Sequence, residues 1–350
     1  MTTKAQAKKD RTPGLTRRRF LFSMAAGALG MAWLAERTPP AFAQRRTFGA
    51  RFGTSAAVIE ANGSGAKFFA NEANKRSNGA LRIDFFADSQ IGGSRDLLEG
   101  VQLGSVQFAE GSTAFMTPFL ADTMVFDLPY VFTSSSAVLR FLDSPDGSEK
   151  LAIERFGTIK MRGLSWFDHG SRNLYNSRRP VYTPGDLRGL KIRVEENPVR
   201  VASLNAMGAM ATPMAWAEVY GAIQQGVLDG AENSEQSYMG TRHNEVAPFY
   251  SMTNHFITPN YIVVGTSFFA SLPKELQDLL VQVGKDAAAY ERNLWAENDG
   301  KIIGEMKAAG VKINDADKNA FQAAVTKVQE EYAKKIPKDW WDAVLKAAKA

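Results

Sequence analysis

Short runs that alternate apolar and polar residues are separated by helical segments along the first part of this chain. Residues 45–54, 81–90 and 105–111 show the alternation that is typical of strands with one buried face. Between them, residues 64–76 and 94–104 have helical composition. The order strand, helix, strand, helix, strand predicts an α/β domain with a largely parallel sheet.

The rest of the chain continues this mixture and contains one unusually long helical pattern. That pattern runs from Pro273 to about Ala309 almost without a break. Further helices are predicted at 197–209 and 214–226, and strand character returns over residues 254–272. No repeat, low-complexity tract or polar linker interrupts the sequence, which suggests domains that are connected by strands and can hinge.

The N-terminus has the three parts of a secretory signal. A basic region is followed by the apolar stretch 20–34, and an Ala-Phe-Ala motif that ends at Ala43 forms a cleavage pattern. Residues 16–21, Thr-Arg-Arg-Arg-Phe-Leu, resemble a twin-arginine export signal. We therefore predict export to the periplasm with cleavage near Ala43, and an uncleaved anchor is the alternative.

The net charge changes when this segment is set aside. The full chain has 42 basic and 37 acidic residues and a net charge of +5. Residues 1–43 hold eight of the basic and two of the acidic residues, which leaves 34 and 35, a net charge of −1. No basic field remains to attract nucleic acid or a membrane surface, so neither is expected as a partner.

The absence of cysteine and of catalytic motifs narrows the function further. Without cysteine there are no disulfides, thiolate metal sites or cysteine nucleophiles, and no lipid anchor on the mature N-terminus. The three histidines, His169, His243 and His255, lack metal-ligand spacing, and no carboxylate pair stands out as an acid–base couple. Signatures of an enzyme are therefore scarce in this sequence, and no cofactor or metal is expected.

One short segment raises the question of an anion site. In residues 189–194, Leu190, Ile192 and Val194 alternate with Lys191 and Arg193, as in a strand with one buried face. A second arginine, Arg172, lies upstream in a similar setting. These arginines are either solvated charges or two halves of one site, because guanidinium groups bind carboxylates through paired hydrogen bonds.

Several motifs resemble one family almost from end to end. They are "QIGGSRDLLEGVQLG", "FDLPYVF", "LRGLKIRV", "TPMAWAEVY", "LDGAEN" and "RHNEVAPFYSMTNH". Together they resemble the extracytoplasmic solute receptor of tripartite ATP-independent periplasmic (TRAP) transporters. The resemblance implies a periplasmic binding protein fold with two α/β lobes, joined by strands and spanned by a long helix, and a ligand in the cleft between them. We place one domain at 44–169 plus 259–298 and the other at 170–258 plus 299–350.

The resemblance also implies particular ligand-binding residues. Arg193 matches the arginine that clamps the carboxylate, and Arg172 matches a second ligand arginine. Asn233, Trp216 and Glu110 match an amide, an aromatic and a cleft-facing position. The residues that follow the strand of Arg193 differ from the family pattern, which puts polar ligand contacts from that loop in doubt; they are Glu195 and Glu196.

The ligand implied by the resemblance is an organic acid. Trp166, Asp168 and His169 lie close in sequence to Arg172 and could bind sugar hydroxyls. A hexuronate or other sugar acid is therefore favoured over a C4-dicarboxylate. The expected partners of the monomeric receptor are the small and large membrane subunits of the transporter. The alternatives are a periplasmic enzyme that acts on a carboxylated sugar and a receptor that serves a sensor kinase.

Overall fold

Two sheets organise the computed structural model, which describes residues 47–348. The first sheet has five strands in the order β2-β1-β3-β10-β4, and the second has six in the order β11-β9-β5-β8-β6-β7. The strands are β1 (Phe48–Thr54), β2 (Leu81–Phe86), β3 (Phe108–Ser112), β4 (Met161–Phe167), β5 (Ser171–Asn176), β6 (Lys191–Val194), β7 (Met210–Pro213), β8 (Gly230–Asn233), β9 (Phe249–Ile257), β10 (Asn260–Gly265) and β11 (Lys312–Asp315). The predicted signal, residues 1–43, lies outside the described residues.

Both sheets are mixed. In the first, β1 pairs in parallel with β2 and β3, as predicted, while β10 runs antiparallel between β3 and β4. In the second, β6 is parallel to β7 and β8, and β5 is antiparallel to β8 and β9. The chain crosses from the first sheet to the second between β4 and β5, and it returns between β9 and β10, each time through only two or three residues. Because the two crossings run in opposite directions, β10 is antiparallel to β4 and β9 is antiparallel to β5. These two crossings join the sheets.

The predicted division into domains separates the two sheets. Every strand of the first sheet lies within 44–169 and 259–298, and every strand of the second lies within 170–258 and 299–350. The described chain nevertheless forms one compact unit, and the last helix packs across the predicted boundary. Its Trp340 contacts Phe141, with ring centroids 5.2 Å apart. The division into two domains stays a prediction.

Helices cover both sheets. The α-helices are Ala61–Arg76, Ser94–Leu103, Ser135–Asp143, Pro198–Ala206, Val219–Gln224, Glu235–Gly240, Thr266–Ser271, Lys274–Ala308, Lys318–Ala333 and Lys338–Ala348, and a π-helix, Asp146–Arg155, leads into the helical turn Phe156–Thr158. None of the described helices has the length and apolarity of a membrane span.

The long helix connects the cores of the two sheets. It begins after Pro273 and ends at Ala308, one residue from the predicted end. Its first half packs Leu280 and Val283 into a core of the first sheet, and its second half packs Met306 into a core of the second. A single helix therefore spans both halves, as the resemblance implied.

Two predicted elements differ from the structure. The predicted strand region 254–272 ends at Gly265, and Thr266–Ser271 is helical. The predicted helix 214–226 is split into the 3₁₀ turn Trp216–Glu218 and the short helix Val219–Gln224. An apolar run as short as 266–272 fits either period, so the sequence pattern does not distinguish a strand from a helix there.

Candidate functional site

The ends of strands from both sheets enclose a small polar cavity of about 40 Å³. Of the eight residues predicted for the site, five line it: Glu110, His169, Arg193, Trp216 and Asn233. The lining also includes seven polar residues that the sequence analysis missed: Ser55, Glu60, Asn62, Ser94, Ser112, Ser237 and Asn260.

Arg193 is a buried cation whose guanidinium is only partly satisfied. The residue is 1% exposed, so it is not a solvated strand charge, whereas its neighbour Lys191 is exposed. The Nε donates to the Met214 carbonyl at 2.8 Å, and the Nη2 is buried without a partner. Burial lowers the pKa of Arg193. No carboxylate of the described chain lies within ion-pair distance of it, so this guanidinium is available to an anion in the cavity.

A group of aromatic rings supports this guanidinium. The Arg193 guanidinium lies 5.2 Å from the centre of the Trp216 ring, a cation–π geometry. The other neighbour of Trp216 is His243, with ring centroids 4.7 Å apart, and the His243 Nδ1 lies 2.7 Å from the Tyr175 hydroxyl. Burial and the charge of Arg193 lower the pKa of His243 to about 3, so this ring is neutral.

Arg172 lies behind the cavity wall and does not line it. Its Nε and Nη2 both donate to the carboxylate of Glu232, at 2.6 and 2.9 Å. Burial alone would raise the pKa of Glu232, but the charges of Arg172 and Arg200 and the contacts with Arg172 and His255 together outweigh it, and the pKa is lowered. His255 completes the contact, with its Nε2 3.6 Å from Glu232. Two of the three guanidinium nitrogens of Arg172 are thus already bonded to Glu232, and only the third, Nη1, is buried without a hydrogen-bond partner.

A second buried ion pair links the two halves of the molecule. Arg200, on the helix after β6, donates to Asp127 at 3.2 Å. Asn197 donates to the same carboxylate at 2.6 Å and to the Ala114 carbonyl at 2.7 Å. Asp127 and Ala114 follow β3 of the first sheet, so these contacts hold the end of β6 against that sheet. Burial raises the pKa of Asp127.

The wall of the cavity that is built by the first sheet, opposite Arg193, carries carboxyl groups. Glu110, on β3, accepts hydrogen bonds from Thr54 and, at 2.8 Å, from Asn260. Glu60 precedes the helix Ala61–Arg76 and accepts from the Ala57 backbone at 3.0 Å. Burial raises the pKa of Glu60 and the pKa of Glu110 to about 7 each. Each of these groups can therefore be a hydrogen-bond donor or an acceptor near neutral pH.

His169 lies between the sheets as a neutral hydrogen-bonding group. Its Nδ1 lies 2.8 Å from the Asn260 Oδ1, and its Nε2 lies 3.2 Å from the Ser237 Oγ. Burial lowers the pKa of His169, and the charge of Arg172 adds to this effect. The ring therefore adds no positive charge to the cavity at neutral pH.

The two remaining predicted residues lie outside this cavity. Trp166 packs in a core of the first sheet, with its ring 5.7 Å from that of Phe156. Asp168 accepts a hydrogen bond from the Gly170 backbone at 2.8 Å and faces a separate groove of about 670 Å³. Neighbouring positions in the sequence here face different parts of the structure, because Trp166 belongs to a strand and Asp168 to the turn that follows it.

Two α/β halves around a polar cavity with a buried, unpaired arginine are the features of a solute-binding protein. A family model described as bacterial extracellular solute-binding protein, family 7, matches residues 52–335. The chain belongs to this family.

Relatives with different ligands in their names are similar to this chain. A solute-binding protein of Chromohalobacter salexigens is 35% identical, with 79% of this chain and 82% of the relative covered. The 2,3-diketo-L-gulonate-binding periplasmic protein of Escherichia coli is 32% identical, with 82% and 88% covered. The C4-dicarboxylate-binding periplasmic protein of Rhodobacter capsulatus is 30% identical, with 78% and 83% covered.

Solved structures show the same fold with sugar acids bound. A TRAP solute-binding protein from a Sulfitobacter species with β-D-galacturonate has a TM-score of 0.82 and 32% identity, covering 87% of this chain and 100% of that one. One from Chromohalobacter salexigens with D-glucuronate has a TM-score of 0.81 and 32% identity, covering 86% and 99%. A sugar acid binding protein from Advenella mimigardefordensis with galactonate has a TM-score of 0.83 and 27% identity, covering 87% and 98%.

These comparisons confirm the resemblance and the two-lobed fold that it implied. The chain is a transport solute-binding protein of the TRAP type and not an enzyme, so the alternative of an enzyme acting on a carboxylated sugar is wrong. Receptors of this kind are periplasmic, bind small carboxylates and work with membrane subunits.

Proposed function

We propose that this receptor captures a hexuronate or a related sugar acid and delivers it to the small and large membrane subunits of its transporter. The observation that carries this proposal is the distribution of charge around the cavity. Among the described residues that line it, Arg193 is the single arginine or lysine, and Glu60, Glu110 and Glu195 supply three carboxyl groups. One cation suits a ligand with one carboxylate.

The rest of the lining suits hydroxyl groups. Ser55 and Ser94 lie with their hydroxyls 2.8 Å apart, and Ser237 is close to the neutral ring of His169. The side chain of Asn62 is buried as well. Such donors and acceptors discriminate strongly, because a ligand that lacks the matching hydroxyl leaves buried polar groups unpaired.

A C4-dicarboxylate is the second candidate, since one relative is named for it. Its second carboxylate would need a second cation, and the wall opposite Arg193 offers Glu60 and Glu110 instead. The charge distribution therefore favours the sugar acid.

In this proposal Arg193, Trp216, Asn233, Glu110 and His169 contact the ligand. Arg172 acts from behind the wall by holding Glu232, and only its Nη1 is free to reach an anion. Trp166 and Asp168 are not included, since neither lines the cavity. We further propose that residues 1–43 direct twin-arginine export and that cleavage occurs near Ala43, which N-terminal sequencing of the periplasmic protein checks.

Calorimetry with galacturonate, glucuronate, galactonate and succinate tests the ligand class. We expect at least one sugar acid to bind about 100-fold or more tightly than succinate, because unmatched buried polar groups and an unpaired charge each cost a few kcal/mol. Succinate binding as tightly as the best sugar acid would overturn the proposal and leave the family assignment intact.

A further inference from the structure

Glu195 is a buried carboxylate that shares the cavity with Arg193. It follows directly after β6, and residues two apart on a strand point to the same face. Both residues line the cavity, and Glu195 is 3% exposed. The apolar residues Leu190, Ile192 and Val194 point to the other face, where they belong to one core cluster. Arg193 and Glu195 therefore present opposite charges to one ligand.

The carboxylate of Glu195 makes no hydrogen bond with the two arginines that lie next to it. Its Oε1 lies 3.7 Å from the Arg172 Nη1, and its Oε2 lies 3.8 Å from the Arg200 Nε. Both separations exceed hydrogen-bond distance. The Oε2 is buried and has no hydrogen-bond partner among the described residues. Arg172 and Arg200 make their close contacts with Glu232 and Asp127 instead.

The charge of Glu195 is maintained by these two arginines. Burial alone would raise the pKa of Glu195, but the attraction of Arg172 and Arg200 outweighs it and the pKa is lowered. An ionised carboxylate accepts hydrogen bonds and cannot donate them. The carboxylate of Glu195 therefore matches a hydroxyl of the ligand and opposes a second carboxylate.

We propose that Glu195 is a specificity-determining residue, which accepts a hydrogen bond from a ligand hydroxyl close to Arg193 and rejects acids that carry a second carboxylate. The proposal rests on the proposed function, that of a receptor for sugar acids. Arg193 recognises the acid group, and Glu195 restricts the ligands to those with one such group and a neighbouring hydroxyl.

A matched pair of ligands isolates this effect. Galactonate and galactarate are both open-chain sugar acids, and galactarate has a second carboxylate in place of the terminal alcohol. Calorimetry at pH 7.5 gives the affinity ratio of the two for the wild type, for Glu195→Gln and for Glu196→Gln. Glu196 is the matched control, because it is adjacent in sequence and partly exposed and does not line the cavity.

For the wild type we expect galactonate to bind at least about 30-fold more tightly than galactarate, since like charges placed together are strongly unfavourable. In Glu195→Gln this ratio should fall about ten-fold or more, because the amide keeps the shape, removes the charge and can donate to a carboxylate. In Glu196→Gln it should stay within about two-fold of the wild type.

The outcomes separate this inference from the proposed function. If neither galactonate nor a hexuronate binds the wild type, the proposed function fails first. If the wild type binds galactonate and galactarate equally, the role of Glu195 is overturned even when Glu195→Gln does not fold. If Glu195→Gln folds and keeps the wild-type ratio while both affinities drop, Glu195 only holds Arg172 and Arg200 in place, and the proposal is wrong.

Discussion

The two walls of the cavity use carboxyl groups in opposite ways. On the wall built by the second sheet, Glu232 and Glu195 lie close to buried arginines, and their pKa values are lowered despite burial. On the wall built by the first sheet, Glu110 and Glu60 have hydroxyl, amide and backbone partners, and burial raises the pKa of each to about 7. One wall is therefore permanently charged, and the other changes its charge near neutral pH.

This difference assigns a separate task to each wall. A fixed array of charges with one free guanidinium, that of Arg193, selects a carboxylate. A wall of carboxyls, amides and hydroxyls can match either the donor or the acceptor side of a sugar hydroxyl. The acid group and the one hydroxyl assigned to Glu195 are thus recognised from the second sheet, the first sheet faces other hydroxyls of the sugar, and a ligand that satisfies both walls also joins them.

The largest effect is expected at Arg193. Truncating one member of a buried charge pair typically costs about 2–5 kcal/mol, so Arg193→Ala should lose somewhat over ten-fold to a few thousand-fold in affinity for the best sugar acid. Arg193→Lys keeps the charge but not the planar fork, and it should recover only part of the loss. Calorimetry on both variants measures this.

The control for this experiment is Lys191→Ala, since Lys191 lies on the same strand and is exposed. The melting temperature of the ligand-free protein should change little in all three variants, because the apolar face of β6 is untouched. If Arg193→Ala binds within three-fold of the wild type, the acid group is recognised elsewhere and the contrast between the walls is wrong.

The pH dependence of stability provides the next test. A pKa raised from 4.5 to about 7, as for Glu60 and Glu110, means that the folded protein holds more protons than the unfolded chain between these pH values. Their contribution is fully present below pH 4.5 and is lost as pH rises through about 7. The lowered pKa values of Glu195 and Glu232 act in the opposite direction and matter only below pH 4.5.

The buried histidines, whose pKa values are lowered, act in the opposite direction over part of this range, so the test compares the ligand-free wild type with Glu110→Gln at pH 5.5 and at pH 8. The wild type should lose a few degrees more between these pH values than Glu110→Gln does, because the variant removes one of the carboxyls whose pKa is raised; Glu235 is another, with its pKa raised to about 7. The exposed Glu297→Gln is the control and should leave the dependence unchanged. A pH dependence that is the same in the wild type and in Glu110→Gln would show that Glu110 does not titrate in this range.

The strand of Arg193 illustrates what the sequence can predict. Apolar and basic residues alternate along this strand, which predicts its apolar face correctly, because Leu190, Ile192 and Val194 are all buried. The same pattern treats Lys191 and Arg193 alike, although one is exposed and the other is 1% exposed. Arg193 is covered by elements that are distant in sequence, and local periodicity carries no information about them.

Other misses have related causes. Trp166 is predicted near the ligand because it is close in sequence to Arg172, but it is a strand residue that packs into a core. Asn62 and Asn260 reach the cavity from separate elements, and no motif marks them. Glu232 lies in the motif "LDGAEN" beside a second carboxylate, Asp229, so nothing in the sequence marks Glu232 as the one that is fully buried.

The smallest expected effect is at Trp216. A cation–π contact contributes about 0.5–2 kcal/mol, so Trp216→Ala should weaken binding by about three- to thirty-fold, and Trp216→Phe by less than about three-fold. Calorimetry with galacturonate, which is a ring, and with galactonate, which is open, measures both variants. Tyr220→Ala is the control, because Tyr220 also lies near His243, with ring centroids 6.2 Å apart, and does not line the cavity.

The two ligands separate two roles for the tryptophan. If Trp216 acts by holding the Arg193 guanidinium, the ring and the open chain should lose affinity equally, since both present the same carboxylate. If the indole instead stacks on the sugar, galacturonate should lose far more than galactonate. A loss that is confined to galacturonate would mean that the charged wall also recognises the sugar ring, beyond the one hydroxyl assigned to Glu195, and the division of tasks between the two walls would not hold.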